Sequence, residues 1–241
     1  MQSSDDQEAE QAWEQLPAAA HRCLELAHLS LTTAGLAVGS ALADANGRVV
    51  AAGRNRAYDP PGGSDPLQGT PLAHAEMNVL ASVPTGRDMS TDTLWSTQRP
   101  CSMCDAALVF TGVGTVRWLA PDPWAIASGV NESHDGDELR RLPPHDDRWI
   151  VVANLLFLAS VALTRGFTNP TVERNRELEP ETHLLLQKLL HGGAARMVEQ
   201  PVTVLLADVW GEIREAAVTR HDRVVAEDDR RRLRATGHGV G

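Results

Sequence analysis

The feature that most constrains this chain is a pair of cysteines, Cys101 and Cys104, two residues apart behind Pro100, with His74-Ala75-Glu76 upstream. Positions i and i+3 are neighbours on a helical turn, so thiolates at that spacing can grip one soft metal ion. Pro100 favours a helix start, and a helix N-terminus favours the thiolate over the thiol. One imidazole from a second helix start would complete a His-Cys-Cys set. Two thiolates and a neutral imidazole leave Zn²⁺ formally neutral with three protein ligands, and a fourth position open to water marks a catalytic site. Glu76 stands two residues from His74, so the two side chains converge only in a first turn; Pro71 suggests that the helix begins there. The same residues leave two other readings open: a structural zinc site completed by Cys23 or another histidine, or a redox Cys-x-x-Cys. Cys23 itself falls on an apolar helix face and reads as a small buried hydrophobe.

The pattern around these residues is that of a sheet flanked by helices. The spacing predicts helices over 17–33, 72–83 and 100–110, and strands over 37–43, 49–53, 93–97 and 115–120. Asn46-Gly47 between the first two strands is a hairpin signal for a type I′ turn. Gly35 is expected to end the first helix. The order α-β-β-α-β-α-β predicts an α/β/α unit over 17–123. A loop is expected over 124–148 and a helical C-terminal extension over 149–220, with helices at 149–164, 171–190 and 202–218. Segments 1–16 and 226–241 read as flexible and solvated, the latter including Arg230-Arg231-Arg232. With 241 residues, the chain has room for one large domain or one domain and an extension.

Charge narrows the partners. The formal net charge is −10 and aromatic residues make up 4%, so neither a general attraction for phosphate backbones nor an extended stacking platform is expected. The most apolar run, 150–163, is interrupted by Asn154 and Ser160 and reads as a buried helix rather than a bilayer span. No targeting signal is read in the polar N-terminus, and three clustered cysteines point to a reducing compartment. A cytoplasmic location follows as an expectation. His21, His28, His134 and His145 read as surface or loop residues, Trp118 as core, and Trp124 as a candidate for substrate stacking.

The combination His-x-Glu with Pro-Cys-x-x-Cys is the zinc-deaminase signature. On these residues the chain resembles the cytidine and deoxycytidylate deaminase superfamily, in the branch whose first ligand is His and which includes tRNA adenosine and guanine deaminases. Ala37-Val38-Gly39, Gly53-Arg54-Asn55-Arg56, Thr97 and Pro100 extend the likeness over 17–123. It departs at Gln98-Arg99, where the family commonly has Leu-Glu, in the length of the loop between Asn55 and His74, and in the extension.

The resemblance implies a three-layer α/β/α cytidine deaminase-like sandwich with one Zn²⁺ per chain on His74, Cys101 and Cys104. It implies Glu76 as the proton shuttle, taking a proton from the zinc-activated water and returning it to the ring nitrogen and the leaving ammonia. Asn55, the backbone N–H groups of Ala75 and Cys101, and Trp124 are the implied substrate contacts. The expected reaction is hydrolytic deamination of a free nucleobase or nucleoside, with a homodimer as the assembly. A tRNA adenosine-to-inosine deaminase and a catalytically idle zinc domain that binds a partner are the alternatives; nucleic acid is disfavoured by the charge.

Overall fold

The computed structural model describes residues 3–63, 65, 67–122, 139–142, 146–192 and 195–237. Five strands form one sheet in the order β2-β1-β3-β4-β5: β1 Gly39–Ala43, β2 Val49–Arg54, β3 Thr93–Gln98, β4 Thr115–Ala120 and β5 Arg140–Leu142. β1 runs antiparallel to β2 and β3, while β3, β4 and β5 are parallel. Helices α1 Ser4–Glu14, α2 Ala18–Thr32, α3 Ala75–Ala81 and α4 Ser102–Phe110 accompany the sheet in the N-terminal half. α5 Asp147–Arg165, α6 Pro170–Leu178, α7 Pro180–His191, α8 Ala195–Glu199 and α9 Val202–Gly237 form the extension. The α/β/α sandwich with a helical extension is therefore the observed architecture.

The period of two along each strand divides the sheet into two faces. Leu42, Leu94 and Val116 stand in register and pack with Val79 of α3 and Leu108 of α4. Ala41 and Trp95 point the other way, toward Ala19 and Cys23 of α2. Gly39 permits that approach: a Cβ there would lie 2.1 Å from the Cys23 carbonyl oxygen. The extension continues this second layer. Leu24, Ala27 and Leu31 of α2 share one core with Trp149, Leu156, Trp210 and Ile213. α5 is long and apolar enough to cross a membrane, yet 72% of its apolar window is buried inside the protein.

Several boundaries differ from the sequence reading, each for a physical reason. Residues 4–14 are helical rather than flexible, because Ser3 and Asp6 form a reciprocal capping box and α1 buries Ala9 and Ala12 in the shared core. Arg140–Leu142, expected in a loop, adds a fifth strand beside β4. The β1–β2 turn is not type I′: Gly47 alone has positive φ, its N–H donates to the Asp44 carbonyl, and a bulge at Leu42/Ala43 precedes the turn. The left-handed residue closing α2 is Ala34, one before the expected Gly35.

The helix expected over 171–190 is broken at Glu179, which Pro180 drives out of the helical region to φ −135° and ψ 61°. α9 runs to Gly237, well beyond residue 218, and residues 226–237 are helix rather than flexible tail. Arg230, Arg231 and Arg232 on it are exposed, as expected. His28 is buried rather than at the surface, with Nε2 3.0 Å from the Met197 carbonyl oxygen. Trp118 is core. Trp124, His134 and His145 lie outside the described residues.

Candidate active site

The site is built from two helix starts, those of α3 and α4. His74 is the N-cap of α3 and Cys101 the N-cap of α4, both with extended backbone, and neither uses its side chain as a cap. Extended dihedrals at these two positions turn both side chains off the helix axes toward one another. Cys104 follows one turn into α4 and is fully buried. Cys101 Sγ and Cys104 Sγ are 3.6 Å apart, and each is 3.5 Å from His74 Nδ1. A tetrahedral zinc with bonds of about 2.3 Å to sulfur and about 2.0 Å to nitrogen would hold its ligands about 3.8 Å (S to S) and about 3.5 Å (S to N) apart. The three donors fit such an ion as they stand. Cys23 is not among them: its thiol donates to the Trp95 carbonyl at 3.4 Å, and burial pushes its pKa well up.

Without metal the two thiols behave as one coupled pair. Hydrogen bonding with Cys104 pulls Cys101 down to about 4, with help from His74. Cys104, hydrogen-bonded with Cys101 and buried beside Glu76, is pushed far up. His74 is raised, chiefly by its bond to Cys101, with Asp122 contributing its negative charge. A bound dication would displace the shared proton, because coordinating thiols are deprotonated outright.

Glu76 is 3% exposed in the first turn of α3. Its Oε2 lies 3.5 Å from Cys104 Sγ, and its Oε1 accepts a 2.7 Å hydrogen bond from Ser96 Oγ. Burial is the main reason its pKa is raised. This is the first-turn convergence with His74 that the two-residue spacing requires.

Asn55 is buried at the end of β2, with Oδ1 accepting from the Ala57 N–H at 3.1 Å. Its carbonyl accepts from Ser30 Oγ and Arg54 Nη1, each at 3.1 Å. Asn78 anchors α3 to the same strand, donating from Nδ2 to the Arg54 carbonyl at 2.8 Å. Ala75 is the first residue of α3 and fully buried. Arg99, where the family commonly has Glu, lays its guanidinium 5.6 Å from the Trp118 ring. Gln98 donates to the Ala153 carbonyl at 3.2 Å and so ties the approach to Cys101 to α5.

Sequence reasoning missed Ser96 and the bidentate Arg54–Asp59 pair that braces the Asn55 turn. Ser96 had a signal: a small polar residue in the inward register of β3, in line with Trp118. Asp59 had none, since its partner is set by the path of the loop.

Residues 14–120 match the family described as cytidine and deoxycytidylate deaminase zinc-binding region. Among solved structures, one from a study of A-to-I editing by tRNA:A34 deaminases at the wobble position of transfer RNA is 24% identical, over 52% of this chain and 96% of that one, with a TM-score of 0.40. Guanine deaminase from Nitrosomonas europaea is 22% identical over 58% and 85% of the two chains, with a TM-score of 0.44. Guanine deaminase from Bacillus subtilis is 20% identical over 53% and 82%, with a TM-score of 0.37. Comparison with curated proteins gives no match. Both helix starts and the three metal-competent donors, His74, Cys101 and Cys104, lie inside the segment that matches the cytidine and deoxycytidylate deaminase zinc-binding region.

Proposed function

We propose that the protein hydrolyses the amino group from a free nucleobase or nucleoside, an amino-purine, cytosine or related amino-heterocycle, and releases ammonia. His74, Cys101 and Cys104 hold one Zn²⁺, and Glu76 is the catalytic residue. The observation that carries this reading is the buried carboxylate of Glu76 set against a three-donor triangle that fits zinc and leaves a fourth position open.

Zinc in that triangle supplies a water of lowered pKa. Glu76, on the oxygen facing the cluster, would accept one proton from the attacking water and pass it to the ring nitrogen beside the reacting carbon. It would then take the remaining proton from the added hydroxyl and deliver it to the departing amine, which leaves as ammonia. Burial suits this work, because a carboxylate whose pKa is raised from the ordinary range is a stronger base and holds a proton closer to neutral pH. Asn55 Nδ2 and the Ala75 N–H hold the ring.

The formal charge of −10 favours a small substrate over tRNA. A reducing cytoplasm accords with three free cysteines. A homodimer accords with the apolar end that α4 leaves bare, where Phe110 is 91% exposed.

The test is ammonia release from a panel of free bases and nucleosides with zinc-loaded protein and Glu76→Ala as control. Release from one ring, absent in the control, supports the reading. Silence across the panel with inosine formed in a tRNA assay would replace it by the tRNA reaction, and silence in both by an idle zinc domain that binds a partner.

A further inference from the structure

We propose that Ser96 is a positioning residue that keeps the Glu76 carboxylate off the metal, so that the fourth coordination position stays open. The inference rests on the three-donor zinc site and adds to it a reason why a fourth donor, already beside it, does not close it.

Glu76 is poised to be a ligand. Its Oε2 is 3.5 Å from Cys104 Sγ, the separation that His74 Nδ1 keeps from either sulfur. Carboxylate oxygens bind zinc at about 2.0–2.2 Å, and the terminal torsion of a glutamate is soft. Yet Glu76 stays outside the group of donors that lie within 4.8 Å of one another.

Ser96 accounts for the difference. It is fully buried on β3, and its hydroxyl donates to Oε1, the oxygen turned away from Cys104. The strand fixes the hydroxyl's position: Ser96 pairs in register with Ser40 of β1 and Trp118 of β4. Among the described residues the carboxylate has two side-chain donors, Ser96 and the Cys104 thiol, besides its own backbone N–H. With zinc bound, Cys104 would be a thiolate ligand rather than a donor. In the loaded protein the serine is then the one side-chain donor that the described residues offer, and it pulls the carboxylate toward the sheet. Losing it frees the headgroup to turn onto the ion.

Cobalt(II) reports this directly, since its visible bands shift when an anion enters an open position. Wild-type protein, Ser96→Ala and Ser96→Ala/Glu76→Gln, each loaded with one cobalt, would be titrated with azide. Wild type should bind azide. Ser96→Ala should bind it more weakly, on the order of 10–100-fold as for other losses of an outer partner, and release its metal more slowly to a chelator. The double variant should recover azide binding, because an amide is a poor ligand. Equal azide affinity in wild type and Ser96→Ala would overturn the role of Ser96 while leaving the open site intact. Weak binding that Glu76→Gln fails to restore would also overturn it. Failure of wild type itself to bind azide would overturn the open position, and the proposal with it.

Discussion

The metal end and the helical bundle bury their polar groups in opposite ways. Around α3 and α4, polar side chains sit inside and are met one by one: Glu76 by Ser96, Asn78 by the Arg54 and Ala73 carbonyls, Arg54 by Asp59. In the bundle the interior is mostly apolar, with one buried amide pair, Asn154–Asn175, and its buried carboxylates, Glu179 and Glu181, are held by arginines. Arg220 there clasps Glu179 with two bonds of 2.7 and 2.8 Å and also reaches Asp147, while Arg223 clasps Glu181. A buried polar group costs free energy unless its partner is in place, so the first arrangement specifies geometry at the expense of stability. Apolar burial does the reverse. Substitutions at the metal end should therefore remove chemistry with little loss of fold, and substitutions in the bundle should remove fold with little loss of chemistry.

The largest effects test the first half of that contrast. Cys101→Ala removes a ligand that is half-buried and carries no helix cap, so the chain should fold but bind no stoichiometric zinc. Metal analysis of the purified variant checks this; one zinc per chain would refute the ligand set. Glu76→Ala should keep the zinc and lose turnover by about 10³-fold, within the range usual for a general acid–base group. Steady-state rates on the substrate found in the ammonia panel measure it, with melting temperature as the control for fold. A large drop in melting temperature would break the contrast.

Trp210→Ala tests the other half. The ring is fully buried, 5.6 Å from Trp149 and 5.7 Å from the Arg148 guanidinium. Truncating a buried Trp costs about 3–5 kcal/mol, and at this chain length each kcal/mol lowers the melting temperature by about 2–4 °C. The expected drop is roughly 6–20 °C, with zinc stoichiometry unchanged at permissive temperature. Trp210→Phe should cost less than its lost volume suggests, because the indole Nε1 has no hydrogen-bond partner among the described residues. Loss of zinc in parallel with the bundle would show that the two regions are one cooperative unit at the metal as well as in the core.

How far each region could be read from the sequence follows the same division. His74, Glu76, Cys101 and Cys104 were legible because ligand chemistry dictates short spacings at helix starts, and those spacings are written along the chain. The alternation through β1, β3 and β4 was legible for the same local reason. Within α1, the Ser3 and Asp6 capping box was also local, but the acidic run around it reads as solvated until α9 supplies the surface that buries Ala9 and Ala12. β5 has three residues, too few for a period to show. The Arg220 and Arg223 clasps join residues some forty positions apart, with no pattern to announce them. Local geometry leaves a trace in sequence; a partner chosen by the path of the chain does not.

The smallest expected effect lies where the two regions meet. His28 on α2 is 7% exposed and faces the Met197 carbonyl on α8, so the ring is buried at the seam between sandwich and bundle. Burial lowers its pKa, and the carbonyl only partly offsets this. A group whose folded pKa lies below its unfolded value favours the folded state above the unfolded pKa, near 6.5, and loses that contribution as pH falls through the folded value. His183 on α7 is lowered by burial in the same direction. Acidification from pH 8 to pH 5 should therefore lower the melting temperature of the wild type. His28→Gln keeps a donor toward Met197 without a titrating ring, so its melting temperature should fall less over the same interval, by about 2–4 °C per kcal/mol of linkage removed. Parallel melting curves for wild type and variant would place the acid sensitivity elsewhere. A flattened curve for the variant would locate part of it at the seam, where one buried imidazole ties the zinc-bearing half to the half that carries the core.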